Sequence, residues 1–192
     1  SGNTISATDL ATLLSQGPVT LGANDLAISA YSNQNLSTVD STGGGRLTVT
    51  TAAGAALTAA NLADADAITI GGSGNTISAT DLATLLNQGP VTLGANDVAI
   101  SAYSNQNLST VDSTGGGRLT VTTSDSVTIT STIIGYLADA DAITIGGSGN
   151  TISATDLATL LAQGSVTLGV NDLAISAYSN QNLSTVDSLS LI

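Results

Sequence analysis

The chain lacks most of the side chains on which enzymes and metal centres depend. Its 192 residues include no Cys, His, Met, Trp or Phe, and Glu and Lys are absent as well. Without His, Cys and Lys, common bases, nucleophiles and soft-metal ligands are missing, whereas hard oxygen ligands for calcium remain. Without cysteine there is no disulfide framework from which a compartment could be read. We expect a protein that is not an enzyme.

Positive charge is equally scarce. Arg46 and Arg118 are the basic residues, and fourteen aspartates bring the net charge to −12. We expect no nucleic-acid partner, because that contact needs basic patches. We also expect no membrane insertion, because no apolar run reaches the roughly 18 residues of a spanning helix.

The chain has no signal peptide and no initiator Met, and it begins and ends inside a repeat. We therefore expect a processed product or a segment of a longer polypeptide.

What is present is a long tandem repeat. Residues 1–51 return as 73–123 with two differences, and residues 1–41 return as 148–188 with three. The long repeats are 1–72, 73–147 and a partial copy, 148–192. Such regularity is typical of an array in which each unit packs on its neighbours. We interpret residues 1–192 as a single repeat domain.

A shorter period lies inside the long one. A triplet of apolar residue, Thr and apolar residue recurs every 21 to 28 residues, followed by an apolar–Ser/Thr pair and then a Leu. The central threonines are Thr20, Thr48, Thr69, Thr92, Thr120, Thr144 and Thr167. Alternation of this kind indicates half-buried strands. We predict an all-β fold, a three-sided, right-handed parallel β-solenoid of about eight coils of about 24 residues.

The third segment of each coil has a helical alternative. Residues 6–15 could form one or two helical turns capped by Ser6 or Thr8. The corresponding stretches 35–41 and 61–66 look less helical, which favours a third strand.

The Ile-Thr-Ile-Gly-Gly and Thr-Ile-Ser-Ala-Thr-Asp-Leu segments resemble the repetitive regions of very large secreted bacterial surface proteins. These are the β-strand-repeat and filamentous-haemagglutinin-like adhesins of cyanobacterial or marine type. The resemblance implies export to the cell surface or beyond, an extended rod, and a role in adhesion or surface structure. Polysaccharide and other surface components are the partners it implies.

Aspartates form two candidate calcium sites. In stacked coils about 4.8 Å apart, like charges are unfavourable unless a cation or protonation relieves them. The alternative is that they are solvated edge charges that discourage wrong pairing. We expect no other cofactor. The two clusters are Asp40, Asp64 and Asp66, and Asp112, Asp139 and Asp141.

Two further functions compete with the structural one. The outward Thr column is a feature of ice-binding solenoids, although one clear rank is present where two are typical. Enzymatic β-helices that act on polysaccharides can use Asp pairs, but commonly add Lys, Arg or His. The recurring Tyr31, Tyr103 and Tyr178 could stack on sugars or pack a corner loop.

The chain ends predict self-assembly. The C-terminal Leu-Ser-Leu-Ile repeats the marker of a first strand, and the N-terminus is a coil whose first strand is missing. One chain would therefore complete a coil of the next, giving head-to-tail stacking into an open filament. The residues predicted to form this junction are Ser1, Gly2, Asn3, Thr4 and Ile5 with Leu189, Ser190, Leu191 and Ile192.

Overall fold

The protein has a mixed α/β architecture, so the all-β three-sided solenoid prediction is wrong. The structure is a computed structural model that describes residues 2–169 and 171–188. Within these residues, four helices interrupt short strands that form several parallel sheets. No helix among the described residues has the length and apolar character needed to cross a bilayer.

The elements follow one another in an order that the repeat largely reproduces. They are β1 (Asn3–Ser6), α1 (Ala7–Gln16), β2 (Val19–Thr20), β3 (Leu26–Tyr31), β4 (Val39–Asp40), β5 (Leu47–Thr51), β6 (Ala56–Leu57), β7 (Ala67–Thr69), β8 (Asn75–Ser78), α2 (Ala79–Gln88), β9 (Val91–Thr92), β10 (Val98–Tyr103), β11 (Leu119–Thr123), β12 (Thr128–Ile129), α3 (Ser131–Tyr136), β13 (Ala142–Ile145), β14 (Asn150–Ser153), α4 (Ala154–Gln163), β15 (Ser165–Leu168), β16 (Leu173–Ser176) and β17 (Asp187–Ser188).

The helical alternative for residues 6–15 is confirmed by α1 and its copies α2 and α4. Ser6 is the N-cap of α1: its Oγ accepts the N–H of Asp9 at 3.1 Å and donates to Asp9 Oδ2 at 2.7 Å. This reciprocal cap satisfies a free N–H and places a negative charge at the positive end of the helix. At the other end, the Gly17 N–H donates to the Leu13 carbonyl before Pro18 stops the helix. A strong local cap therefore overrides the strand expected from the neighbouring segments.

We call the stretch of chain between two successive strands of one sheet a pass. Strands that are one pass apart pair with each other in parallel. Asn3 lies opposite Leu26, Leu26 opposite Leu47, and Thr48 opposite Ala67. Apolar residues of successive strands thereby stack in columns that form one hydrophobic core. Burial of these columns stabilises the fold by roughly 1.5–3 kcal/mol for each large side chain.

Copies of the same segment lie in different sheets. In the described chain, β3 belongs to a five-stranded sheet, its copy β10 to a seven-stranded sheet, and the third copy β16 to a three-stranded sheet. The first three passes contain 23, 21 and 19 residues. Together they are nine residues shorter than the 72-residue repeat. Each long repeat therefore brings its strands to the next sheet while keeping the same local pairing.

The solenoid prediction also requires Thr20, Thr48 and Thr69 to stack on consecutive strands, and this is wrong. Thr20 lies opposite Asp40, whereas Thr48 lies opposite Ala27 and Ala67. The threonines are 28 and 21 residues apart in sequence, but the paired strands advance by 20 residues from Thr20 and by 19 from Thr48, so neither meets the next threonine. Threonines do stack elsewhere, in the column Thr50, Thr69 and Thr92 and in the column Thr122, Thr144 and Thr167.

Candidate functional site

The first predicted cluster brings three carboxylates near one another, and two of them already accept hydrogen bonds. Asp40 Oδ1 accepts the Thr42 N–H at 2.9 Å and its hydroxyl at 2.6 Å. These bonds hold the pKa of Asp40 below its ordinary value. Asp66 Oδ2 accepts the Leu47 N–H at 2.6 Å, which ties one pass to the next. The carboxylates thus act as acceptors that fix the corners between passes.

Asp64 is the member of this cluster that carries an electrostatic cost. Partial burial raises its pKa, and the negative charges of Asp40 and Asp66 raise it further. The surroundings of Asp64 therefore disfavour the ionised form of its carboxyl group.

The second cluster repeats the hydrogen bonds from backbone N–H groups to carboxylates. It differs in that one neighbouring charge, and not two, affects the third aspartate. Asp112 Oδ1 accepts from Thr114 N–H at 3.1 Å and from its hydroxyl at 2.6 Å, and Asp141 Oδ2 accepts the Leu119 N–H at 2.7 Å. Burial, followed by the charge of Asp141, raises the pKa of Asp139. Within residues 2–169 and 171–188, no group of three or more acidic side chains is placed to hold a metal ion. The calcium hypothesis at both clusters stays a prediction.

The three recurring tyrosines differ in their surroundings. Tyr31 and Tyr103 are fully buried, and neither hydroxyl makes a hydrogen bond to any residue that the structure describes. Asn61 lies near the Tyr31 hydroxyl without reaching hydrogen-bond geometry, and burial raises the pKa of both phenols. The third copy, Tyr178, is 63% exposed. The first two rings therefore pack in the interior, as the corner-packing alternative predicted.

The two ends of the stack expose apolar side chains that are buried in the interior copies. At the N-terminal end Leu13 is 45% exposed, whereas its copies Leu85 and Leu160 are buried. At the C-terminal end Ile175 is 42% exposed, whereas Ile28 and Ile100 are buried. Identical sequence thus differs in exposure because the described structure supplies no neighbouring pass at these positions.

A cavity of about 320 Å³ opens at the surface formed by β1, α1 and β2, here called the N-terminal face. The predicted junction residues Asn3, Thr4 and Ile5 lie in β1, which is an edge strand that pairs with β3 alone among the described strands. Gly2 is exposed beside it. Ser1, Leu189, Ser190, Leu191 and Ile192 lie outside the described residues. The apolar lining of the cavity is formed by Ile5, Leu10, Leu13, Val19, Leu21 and Leu26.

Sequence reasoning placed the N-terminal junction in residues 1–5 and missed the contribution of the helix and β2. Leu13 and Val19 complete the face, and their copies Leu85 and Val91 are buried in the interior of the stack. The repeat itself carries this information, because an apolar position that packs against a neighbouring pass in one copy needs such a neighbour in every copy. A strand at 6–15 predicts a different set of inward-facing residues, and the contribution of the helix is then missed.

Comparison with known proteins identifies no relative: no family model, no curated protein and no solved structure matches this chain.

Proposed function

We propose that this chain is an extracellular structural or adhesive element that stacks head-to-tail into a rod or filament at or beyond the cell surface. The observation that carries the proposal is the change in exposure between copies of one sequence. Leu13 and Ile175 are exposed at the ends, and the same positions are buried wherever a neighbouring pass lies beside them. A second molecule placed end to end would supply such a neighbour, in the open, non-closing manner of head-to-tail assembly.

The rest of the chain is consistent with a scaffold. Repetition distributes the same surface along the molecule instead of building one asymmetric pocket, and the composition lacks His, Lys and Cys, three of the side chains that commonly serve as bases and nucleophiles. The acidic surface would keep filaments apart laterally by like-charge repulsion. Export, adhesion and contact with polysaccharide follow from the resemblance to secreted adhesin repeats.

Electron microscopy of the purified chain, with and without residues 189–192, tests the proposal. We expect filaments from the full chain and discrete particles from the truncated chain, because those four residues would supply the strand that pairs at the junction. Unchanged filaments after truncation would reject completion by this segment. Discrete particles from the full chain at every concentration would reject the head-to-tail assembly itself.

Ice binding is the second candidate, favoured by one observation. Thr122, Thr144 and Thr167 lie opposite one another on three consecutive strands of the seven-stranded sheet, at the strand spacing of about 4.8 Å. The neighbouring column, which contains Ala99 and Ala142, breaks the second rank. A thermal hysteresis measurement decides: growth of ice at the normal equilibrium temperature would reject this candidate, and hysteresis lost on replacing Thr144 by Leu would support it.

A further inference from the structure

We propose that Asn35, Asn107 and Asn182 are sites of N-linked glycosylation, at which the side-chain nitrogen accepts a sugar from an activated glycosyl donor. Each of them begins the triplet Asn-Leu-Ser, which matches the acceptor pattern of Asn, any residue except Pro, and Ser or Thr. The modification occurs on surface loops of exported proteins. The inference therefore rests on the extracellular location in the proposed function, and it is independent of how the chain assembles.

The acceptor pattern is confined to one loop of the long repeat. The sequence contains fourteen asparagines, and Ser or Thr follows two residues later at these three positions alone. The same loop contains Asn33, Asn105 and Asn180, each of which is followed by Gln and Asn. Every proposed site therefore has an asparagine two residues before it that lacks the pattern and serves as a control.

The acceptor asparagines are exposed, and the residue that follows each of them anchors the loop. Leu36 is fully buried, and its N–H group donates to the Asn61 carbonyl at 2.9 Å. In the second copy Leu108 is buried as well, and its N–H group donates to the Tyr136 carbonyl at 3.0 Å. The leucine thus holds the loop in place while the side chain of Asn35 stays accessible to solvent and to an enzyme.

A local turn brings the serine hydroxyl of the triplet onto the carboxamide that would react. Asn35 Oδ1 accepts the Ser37 N–H at 3.0 Å and the Ser37 hydroxyl at 2.7 Å. Both bonds recur at 3.1 and 2.7 Å in the second loop, and at 3.0 and 2.7 Å in the third. This is the Asx turn, in which an Asn side chain bonds to the backbone two residues later. The turn explains why the third residue of the triplet matters to the first.

The two hydrogen bonds prepare a nitrogen that is otherwise a weak nucleophile. Resonance with the carbonyl ties up the lone pair of an amide nitrogen. Donors to Oδ1 favour the form in which negative charge lies on that oxygen and the nitrogen has lost a proton. The nitrogen then bonds to the anomeric carbon of the sugar, and the bond from that carbon to the phosphate oxygen of the donor breaks. The phosphate group leaves with the electron pair, and a base of the transferase takes the proton.

The reacting nitrogen is not needed to hold the fold together. The hydrogen bonds of the three acceptor side chains within residues 2–169 and 171–188 all involve Oδ1. Other asparagines use Nδ2 as a structural donor: that of Asn96 donates to the Ile70 carbonyl at 2.9 Å, and that of Asn150 to the Gly147 carbonyl at 2.5 Å. A sugar on Asn35 would therefore break no contact that the described structure makes.

The three acceptor loops follow strands of three different sheets. They come after β3, β10 and β16, which belong to the five-stranded, the seven-stranded and the three-stranded sheet. Glycans at the three sites would therefore not form a single row along one sheet. Bulky, solubilising groups would instead be distributed over the surface of the molecule.

Mass spectrometry of the full chain, purified from the cells that produce it, tests the proposal. We expect sugar on Asn35, Asn107 and Asn182, located by peptide sequencing and released by a peptide-N-glycosidase that converts each modified Asn to Asp. The exposed Asn33 should carry none. A chain without sugar at all three sites, or with equal modification of Asn33, would overturn the inference.

Ser37 variants made in the same cells test the turn. Ser37→Ala removes the hydroxyl and should abolish modification of Asn35, a loss of one of the three glycans. Asn107 should stay modified in that variant and shows that the chain is still exported and accepted by the transferase. Ser37→Thr retains a hydroxyl and should keep the glycan on Asn35. Full modification of Asn35 in Ser37→Ala would contradict the proposed chemistry.

The released glycan identifies the donor, and the filament test stays separate. A single sugar indicates a nucleotide-sugar donor, and a preassembled oligosaccharide indicates a lipid-linked donor; both support the sites. Filaments built from a chain without sugar would overturn the glycosylation sites and leave head-to-tail assembly in place. A glycosylated chain that remains as discrete particles at every concentration would reject assembly and leave the sites in place.

Discussion

Gly89 and Asp66 lie in successive passes so close together that a β-carbon on the glycine would overlap the aspartate carbonyl oxygen. The same Gln-Gly-Pro sequence around Gly17 has open space at this point. One sequence position is thus sterically constrained in the interior of the stack and free at its end.

This difference predicts opposite tolerance to one substitution. Gly89→Ala should lower the free energy of unfolding by roughly 1–3 kcal/mol, the usual cost of forcing extra volume into a packed region. Gly17→Ala should change it by less than about 0.5 kcal/mol. Chemical denaturation of the two single variants at a concentration where the chain is monomeric provides the measurement. Equal effects would mean that the passes do not approach as described.

Leu13 and Leu85 are copies of one position, and replacing each by Ala tests the loss of packing contacts. The glycine substitutions above test overcrowding. Leu85→Ala should destabilise the chain by about 2–5 kcal/mol, because it removes a side chain that is 2% exposed and leaves a cavity. Leu13→Ala should cost far less in the monomer, since that side chain is already 45% exposed. If assembly occurs, Leu13→Ala should also raise the concentration needed for filaments. A Leu13→Ala cost as large as that of Leu85→Ala in the monomer would contradict the open face.

The local chemistry of the helices could have been predicted from sequence, and the path of the chain between sheets could not. Ser6 followed by Asp9 is a readable N-cap with an acidic first turn, and Gly17-Pro18 is a readable stop. The counterparts at 35–41 and 61–66 look less helical in sequence, which favours a strand at 6–15 as well. The structure shows that such positions need not share one conformation in every pass.

The register was misjudged for a different physical reason. Sequence spacing aligned Thr20 with Thr48, but the backbone pairs Thr20 with Asp40 and Thr48 with Ala27. The partner of a strand is set by the number of residues in the pass between them. That number changes with the length of the turns at the corners. The long repeat does not correspond to a whole number of passes. Two copies of one segment therefore have the same sequence but lie in different sheets.

Asp64 predicts a pH dependence of a particular sign. Burial and the charges of Asp40 and Asp66 raise its pKa above the ordinary value of 3.8, so the folded state binds its proton more tightly than the unfolded state. The contribution of this group to stability is therefore greatest at low pH and is lost as pH rises through the raised pKa. Asp64→Asn should raise the melting temperature at pH 7. The advantage should disappear near pH 3, and a variant that is less stable at pH 7 would contradict this electrostatic assignment.

Calcium binding at the two aspartate clusters can be decided by removing the ion. If the clusters bind calcium, calorimetry on chelated protein should show uptake, a chelator should lower the melting temperature, and the Asp64→Asn and Asp139→Asn double variant should lose both effects. No uptake and a melting temperature unchanged by chelator would leave Asp40, Asp66 and their copies as acceptors of backbone N–H groups alone.

The buried Tyr103 hydroxyl predicts a stabilising substitution. The ring is fully buried and the hydroxyl has no hydrogen-bond partner within residues 2–169 and 171–188, so folding removes the hydroxyl from water without compensation. An unsatisfied buried polar group costs about 1–3 kcal/mol. Tyr103→Phe keeps the ring and removes the cost, and should therefore raise the free energy of unfolding by a fraction of that amount. Tyr178→Phe is the matched control, because that copy is 63% exposed and its hydroxyl remains in water, so no change is expected. Denaturant titration of the two variants compares them directly, and a destabilised Tyr103→Phe would mean that the hydroxyl has a partner in solution, such as a buried water molecule.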